Sequence, residues 1–134
     1  MKRILLSFLL FTLIHNYAYL QNPVEYCNES INYGPLNGRE RSGNLEPEAV
    51  EWYSVTIIDN SYDVTFSACN SDFNVELQIW QGCDENDSQL LYSNDNGGDC
   101  RIVVDFLPEG IYYLRLYRNK FALEGGYKLN ITKN

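Results

Sequence analysis

Hydrophobic and polar residues alternate along most of the chain after residue 50. The clearest case follows Cys69, where two sets of residues alternate along the chain. One set is Phe73, Val75, Leu77 and Ile79, and the other is Asn74, Glu76, Gln78 and Trp80. Successive side chains of a β-strand point to opposite faces, so this period of two predicts a strand over residues 74–80 with one buried face. Seven other segments are predicted as strands: 39–43 (a short edge strand), 52–58, 62–68, 89–92, 101–106, 111–117 and 127–132.

The segments between these strands are turn-forming, and none has the period of an amphipathic helix. Asp59-Asn60-Ser61 and Pro108-Glu109-Gly110 are the clearest turns. Short strands rich in β-branched and aromatic residues, with no helices between them, favour antiparallel sheets that pack face to face. The predicted fold class is therefore all-β, an antiparallel β-sandwich of jelly-roll type with about seven or eight strands.

The N-terminus has the pattern of a secretory signal peptide. Met1-Lys2-Arg3 is basic, residues 4–14 are almost wholly apolar, and residues 15–21 are small or polar. The apolar run is shorter than the roughly 20 residues that span a bilayer, although a retained membrane anchor is the alternative. We predict a signal peptide over residues 1–21, a single domain over residues 22–134, and a secreted or periplasmic protein.

The remaining domain is strongly acidic. The whole chain of 134 residues has a formal net charge of −8. Loss of Lys2 and Arg3 with the signal peptide reduces ten basic residues to eight against 18 acidic ones, which gives −10. Such a surface repels nucleic acid and anionic lipid and favours cations and basic partners.

Four cysteines indicate two disulfides. Behind a signal peptide, the even number of Cys27, Cys69, Cys83 and Cys100 is typical of an oxidising compartment. Of the three possible pairings we favour Cys83 with Cys100, because both flank the loops around one strand, which leaves Cys27 with Cys69. The chain has no CxxC spacing and its only histidine is His15, so a zinc site is disfavoured.

Four segments together resemble the bacterial pre-peptidase C-terminal domain. Residues 64–77 match its strand, cysteine, short turn and Phe-Asp-Thr-x-Leu strand, and residues 93–96 match its Asn-Asp-Asp loop. Residues 107–114 match its Leu-x-x-Gly-x-Tyr-Tyr strand start, and residues 126–129 match its closing Gly-x-Tyr-x-Leu strand with one residue fewer. The resemblance covers roughly residues 50–132.

This resemblance implies a secreted, non-catalytic β-sandwich of jelly-roll type. Members of the family usually follow a secreted peptidase, whereas no peptidase segment precedes the domain here, so we expect a stand-alone module. The chain departs from the family's polar pattern at two places. Asn74 and Val75 stand where Asp and Thr are usual, and Asn96 replaces the second Asp.

Polar residues at two turns form a candidate calcium site. The candidate ligands are Asp72, Asn74, Asn94, Asp95 and Asp99, with Asn96 beside them. Calcium prefers carboxylate and amide oxygens, and Gly97-Gly98 lets a loop curve tightly around an ion. The alternative is that Asn, Asp and Gly serve only as turn formers.

Aromatic residues form the candidate ligand-binding set, which is Trp80, Tyr112 and Tyr117. On the strand 111–117, Ile111, Tyr113, Arg115 and Tyr117 share one face, while Tyr112, Leu114 and Leu116 share the other. One face is core, and an exposed row of Tyr and Arg on the other is suited to bind a glycan or a protein. The alternative is that these tyrosines fill the core and edges of the sandwich.

The inventory of side chains disfavours catalysis. Without a histidine in the mature chain, no Ser-His-Asp or Cys-His arrangement is available, and no Gly-rich phosphate loop follows a strand. We therefore predict a secreted non-catalytic binding or accessory module for extracellular proteins or glycans. The alternatives are a calcium-assisted carbohydrate-binding module and an accessory or inhibitory domain of a secreted protease. A glycan module predicts a coplanar row of exposed aromatics beside the 94–99 loop; a protein-binding module predicts a flat or loop-based surface.

Overall fold

The computed structural model describes residues 27–37, 39–59, 63–84, 86–94, 99–118 and 125–134. The predicted signal peptide lies outside these residues. Within them the chain forms nine strands: β1 (Ile31–Asn32), β2 (Arg41–Asn44), β3 (Val50–Ile57), β4 (Val64–Ser67), β5 (Val75–Gln81), β6 (Gln89–Ser93), β7 (Arg101–Val104), β8 (Gly110–Arg118) and β9 (Gly126–Lys133). No helix in these ranges has the length and apolar character needed to cross a membrane.

The strands form two sheets. A five-stranded sheet has the order β1-β3-β8-β5-β6, and a four-stranded sheet has the order β2-β9-β4-β7. All neighbours are antiparallel except β1 and β3, which run parallel. The predicted all-β sandwich is confirmed, and each of the eight predicted segments contains a strand. The additional strand is β1, which has only two residues and no alternating pattern to reveal it.

The core lies between the inner faces of the two sheets. On β5 the buried residues are Val75, Leu77 and Ile79, which confirms the predicted face of that strand. On β8, from Ile111 to Arg118, the even-numbered residues are buried and the odd-numbered ones are exposed or half-buried, as the alternation predicts. β4, β7 and β9 contribute the opposite layer: Val64, Phe66, Ile102, Val104, Tyr127, Leu129 and Ile131.

A buried pair of tyrosine hydroxyls links the two sheets. The hydroxyl oxygens of Tyr53 on β3 and Tyr127 on β9 lie 2.6 Å apart. Burial, together with hydrogen bonds to Tyr53 and Glu51, raises the pKa of Tyr127 far above its usual value, so the hydroxyl stays protonated. The ring of Tyr127 leaves no room for a side chain at Gly43, where a Cβ atom would lie 2.7 Å from it.

Both disulfides form, but the predicted pairing is wrong. Cys27 pairs with Cys83, and Cys69 pairs with Cys100. Cys69 follows β4 and Cys100 precedes β7, and these strands are antiparallel neighbours; the backbone N–H of Ala68 donates to the carbonyl oxygen of Cys100 at 2.8 Å. Cys83 follows β5 in the other sheet. The expected Cys83–Cys100 pair would have had to join two different layers of the sandwich.

Candidate functional site

The loop between β6 and β7 is tied to both sheets. The side-chain oxygen of Asn94 accepts a hydrogen bond from the backbone N–H of Leu77 at 2.5 Å, and its amide nitrogen donates to the carbonyl oxygen of Asp99 at 2.7 Å. The backbone N–H of Asn94 donates to the carbonyl oxygen of Leu77 at 3.1 Å. With the Cys69–Cys100 disulfide, these contacts hold the two ends of the loop, Asn94 next to β5 and Cys100 next to β4.

The candidate calcium ligands have varied surroundings. Asp72 turns toward β9, where its carboxylate accepts a hydrogen bond from the backbone N–H of Gly126 at 2.8 Å. Asn74 and Asp99 are exposed, while Asp95 lies outside the described residues, as does Asn96. In the ranges that the structure covers, no group of three His, Cys, Asp or Glu side chains is arranged to hold a metal. Calcium binding therefore stays a prediction.

Tyr112 belongs to the core, so its expected place on a ligand-binding surface is wrong. It is 2 % exposed, and its hydroxyl donates to the carbonyl oxygen of Pro108 at 2.9 Å. The reason is the period of β8: Tyr112 shares the inner face with Leu114 and Leu116. Burial raises the pKa of the Tyr112 hydroxyl, as expected for a phenol away from water.

Trp80 and Tyr117 lie on the outer face of the five-stranded sheet, and both are half-buried. Trp80 packs beside Trp52, with ring centroids 6.4 Å apart and ring planes inclined by 58°. Its indole N–H donates to the side-chain oxygen of Gln78 at 3.3 Å. Tilted, half-buried rings do not make the coplanar exposed row that a glycan platform requires.

The Cys27–Cys83 disulfide covers part of this outer face. Cys27 and Cys83 form a small buried cluster with Trp52, and Trp80 and Tyr113 pack against it. Trp52 is therefore buried although it points away from the main core. The segment around Cys27 thus covers the outer face at Trp52.

One end of the sandwich exposes three large apolar side chains, which we call the apolar end: Ile58, Phe106 and Ile111. They are 83 %, 72 % and 55 % exposed. The register brings them to the same end, because Thr56 on β3 pairs with Ile111, the next pair joins Ile57 to Gly110, and Phe106 lies in the β7–β8 turn. Hydrophobic residues clustered at loop tips are suited to contact another molecule.

Phe106 has an uncommon backbone conformation. Its φ of 55° lies in the left-handed region, where a bulky residue is rarely found. The backbone N–H of Phe106 donates to the side-chain oxygen of Asp63 at 3.3 Å, while the next residue, Leu107, is buried. A strand over 101–106 would turn Phe106 inward with Val104. β7 ends at Val104 instead, so the structure corrects that boundary and exposes the ring.

A groove of about 440 Å³ adjoins Ile58. Leu36, Ile57 and Val64 are among its apolar lining residues. Its polar and charged ones include Asn32, Asn37, Asp59 and Lys133. The two asparagines are occupied in the loop after β1: Asn32 accepts from the N–H of Gly34 at 2.8 Å, and Asn37 accepts from the N–H of Lys133 at 2.8 Å. The groove is therefore a surface of mixed apolar, polar and charged residues next to the apolar end.

The sequence prediction missed the apolar end. The sequence signal for it was Phe106, an aromatic residue directly before the Leu107–Gly110 turn, where polar residues are usual. Phe106 was instead predicted as the last residue of the strand 101–106. An apolar residue that falls between a strand and a turn is better read as a candidate contact residue.

Comparisons with known proteins identify the fold. No family model matches the chain, and no curated protein is significantly similar to it in sequence. The structure is similar to PliG of Aeromonas hydrophila, a periplasmic lysozyme inhibitor of g-type lysozyme, with a TM-score of 0.60 and 13 % identity over 78 % of this chain and 96 % of that one.

Two further structures are similar at a TM-score of 0.50. One is the pre-peptidase C-terminal domain of a Bacillus anthracis collagenase, with 17 % identity over 77 % of this chain and 92 % of that one. The other is PliG of Salmonella Typhimurium, with 18 % identity over 78 % and 97 %. At these identities the likeness establishes the fold, and the resemblance to pre-peptidase C-terminal domains is supported at that level. The two disulfides fit a secreted or periplasmic protein.

Proposed function

We propose that this protein is a secreted or periplasmic, non-catalytic module that binds another protein through its apolar end. One observation carries the proposal: Phe106 is 72 % exposed and is held in the left-handed conformation. A left-handed backbone costs an L-residue roughly 1–2 kcal/mol, and glycine or asparagine would reduce that cost. An aromatic side chain kept in water at such a cost is suited to anchor a partner.

The surroundings of Phe106 support a protein partner over a small ligand. Ile58 and Ile111 are further exposed contacts at the same end, and the groove beside Ile58 is suited to take a side chain from a partner. Loops gathered at one end of a β-sandwich form a common type of protein-binding surface. This arrangement supports the loop-based surface of a protein-binding module over a glycan platform.

Charge points to the kind of partner. Asp63 contacts the backbone of Phe106, and Asp105 precedes it, so carboxylates border the apolar end. With a net charge of −10 for residues 22–134, the module favours a basic partner and its approach is accelerated by electrostatic attraction.

A lysozyme-type hydrolase is the partner we propose. The two PliG proteins that share this fold are described as inhibitors of g-type lysozyme. That description, the acidic charge and the loop-based surface together support inhibition of such an enzyme. An accessory or inhibitory role toward a secreted protease is the competing assignment, since a collagenase domain shares the fold as well.

The test measures inhibition and binding side by side. We expect the wild-type protein to slow lysis of bacterial cells by a g-type lysozyme and to bind the enzyme in calorimetry. Phe106→Asn keeps a residue that tolerates the left-handed conformation but removes the ring, so affinity is expected to fall at least tenfold, a typical loss for an aromatic anchor. Val103→Asn is the matched control, because Val103 is exposed on the edge strand β7 rather than in the β7–β8 turn that carries Phe106.

Two results would contradict parts of the proposal. Inhibition of a secreted collagenase without any effect on g-type lysozyme would replace the lysozyme assignment with the protease one. Equal loss of binding in Phe106→Asn and Val103→Asn, or no loss in either, would remove the apolar end as the binding surface.

A further inference from the structure

The edge of β3 is only partly covered by β1. β1 has two residues and β3 has eight, so β1 pairs with the middle of β3, at Tyr53 and Ser54. Directly after β1, the backbone N–H of Tyr33 donates to the carbonyl oxygen of Ser54 at 3.0 Å. The chain then turns away at Gly34, whose φ of 89° favours glycine. The next part of the β3 edge, at Thr56, therefore has no β1 residue beside it.

The register shows where the backbone of Thr56 points. Successive residues of a strand direct their N–H and C=O groups to opposite sides, so Ser54 and Thr56 share a direction, which is toward β1. On the other side of β3, the backbone N–H of Arg118 donates to the carbonyl oxygen of Ala49 at 3.3 Å, so the odd-numbered residues bond with β8. The N–H and C=O of Thr56 thus point away from β8, and within the described residues neither has a hydrogen-bond partner.

Arg41 prevents β1 from reaching Thr56. In a parallel pair that continued past Ser54, the N–H of Thr56 would donate to the carbonyl oxygen of Tyr33. That oxygen instead accepts two hydrogen bonds from the guanidinium of Arg41, at 3.1 and 2.6 Å. A backbone carbonyl oxygen has two lone pairs, so its acceptor capacity is used. The fold therefore ends β1 early and keeps the strand edge open at Thr56.

The open edge lies in the groove of about 440 Å³ beside the apolar end, which Thr56 lines. The loop after β1 lines it with Pro35 and Leu36, and Ile57 and Val64 are further apolar lining residues. An extended segment directs alternate side chains to opposite sides. Such a segment can therefore pair its backbone with Thr56 while it places one aliphatic side chain against the apolar lining.

We infer that the protein partner adds an extended segment to the β3 edge at Thr56, with an aliphatic side chain in the groove. A strand that is added to an open edge gains affinity from main-chain hydrogen bonds and specificity from pockets for alternate side chains. This inference deepens the proposed function and rests on it, because the groove includes Ile58 of the apolar end. A second copy of the chain suits the site less well, since two modules with a charge of −10 repel each other.

Thr56→Pro tests the added strand. Proline removes the N–H that would bond the partner, and its ring fills the space next to it. The pairing of β3 with β8 does not use this N–H, and Val55 lies in a strand, which is the conformation that a residue before proline prefers. We expect the variant to fold with a Tm close to that of the wild type and to bind g-type lysozyme about tenfold more weakly in calorimetry.

Two controls isolate the backbone contact. Val103→Pro places proline at an edge of the other sheet: the N–H of Ala68 donates to the carbonyl oxygen of Cys100, so the register directs the N–H of Val103 away from β4. Thr56→Val keeps the backbone and the branched shape but removes the hydroxyl. We expect both variants to bind as the wild type does.

Amide hydrogen exchange measures the same contact in the wild-type protein, whether or not Thr56→Pro folds. In the free protein we expect the amide of Thr56 to exchange faster than those of Val55 and Ile57, which lie in the bonded pairs with β8. In the complex with g-type lysozyme, we expect exchange at Thr56 to slow at least tenfold.

Several results would overturn the inference. If Phe106→Asn weakens binding and Thr56→Pro does not, the apolar end binds the partner without an added strand. Equal losses in Thr56→Pro and Val103→Pro, a loss in Thr56→Val, or unchanged exchange at Thr56 in the complex would each remove the backbone contact. Protection of Thr56 in a dimer of the module alone would assign the groove to a second copy. If the wild type does not bind the enzyme, the proposed function and this inference fail together.

Discussion

Replacing Phe106 with glycine tests whether its ring is a contact residue for a partner or part of the core. The ring is 72 % exposed, so about three-tenths of it is covered by the protein. Full burial of a Phe side chain is worth about 1.5–3 kcal/mol, and the covered part therefore contributes less than about 1 kcal/mol. Phe106→Gly loses only this contribution from the folded state.

The backbone acts in the opposite direction. Glycine has no Cβ atom, so it relieves roughly 1–2 kcal/mol of left-handed cost at a φ of 55°. It also makes the unfolded chain more flexible, which costs about 0.5–1 kcal/mol. These effects nearly cancel, and we expect Phe106→Gly to change the free energy of unfolding by less than about 1 kcal/mol.

The neighbouring residue gives the contrast. Leu107 is 1 % exposed, and Leu107→Ala leaves a cavity that costs about 2–5 kcal/mol. Urea unfolding of the wild type and both variants measures the two free energies directly. Binding to g-type lysozyme is expected to fall at least tenfold in Phe106→Gly, as for an aromatic anchor. A loss of stability above about 2 kcal/mol in Phe106→Gly would refute the reasoning, since the ring would then belong to the core.

Three further predictions concern the loop between β6 and β7. Asn94→Ala removes the hydrogen bonds to Leu77 and Asp99, so we expect urea unfolding to show a loss of about 2 kcal/mol; an unchanged midpoint would mean that the disulfide alone holds the loop. Replacing both Cys69 and Cys100 with serine opens a connection of 31 residues, and the loop-closure estimate predicts a loss of about 3–4 kcal/mol, with a lower Tm as the readout. Because Asn94 already has protein partners, we expect a chelator to leave Tm unchanged; a higher Tm at millimolar calcium would instead support a calcium site here.

The sequence was most informative where one physical rule decides the outcome. The faces of β5 and β8 were predictable because a strand between two layers must alternate, and Leu77 and Leu114 follow that rule. Asn94 and Asp72 were placed in one candidate site at two turns, and the contact of Asn94 with Leu77 brings Asn94 beside β5. Neither inference needed to know which strands share a sheet.

Features that depend on sheet membership were not predictable. Cys100 and Cys83 are close in sequence around β6, but β5 and β7 belong to different sheets, so Cys100 meets Cys69 instead. β1 is a strand only because β3 offers its edge. Phe106 is two residues after Val104, so in a continuous strand both would point inward. The left-handed conformation of Phe106 turns its ring outward instead.

The last two strands of the chain are also the central strands of the two sheets. β8 pairs with β3 and β5, and β9 pairs with β2 and β4. During synthesis, only the β1–β3, β5–β6 and β4–β7 pairs have both members before β8 emerges. Long-range strand pairing is slow, and incomplete sheets are unstable. The chain therefore completes its sandwich only after β9 is made.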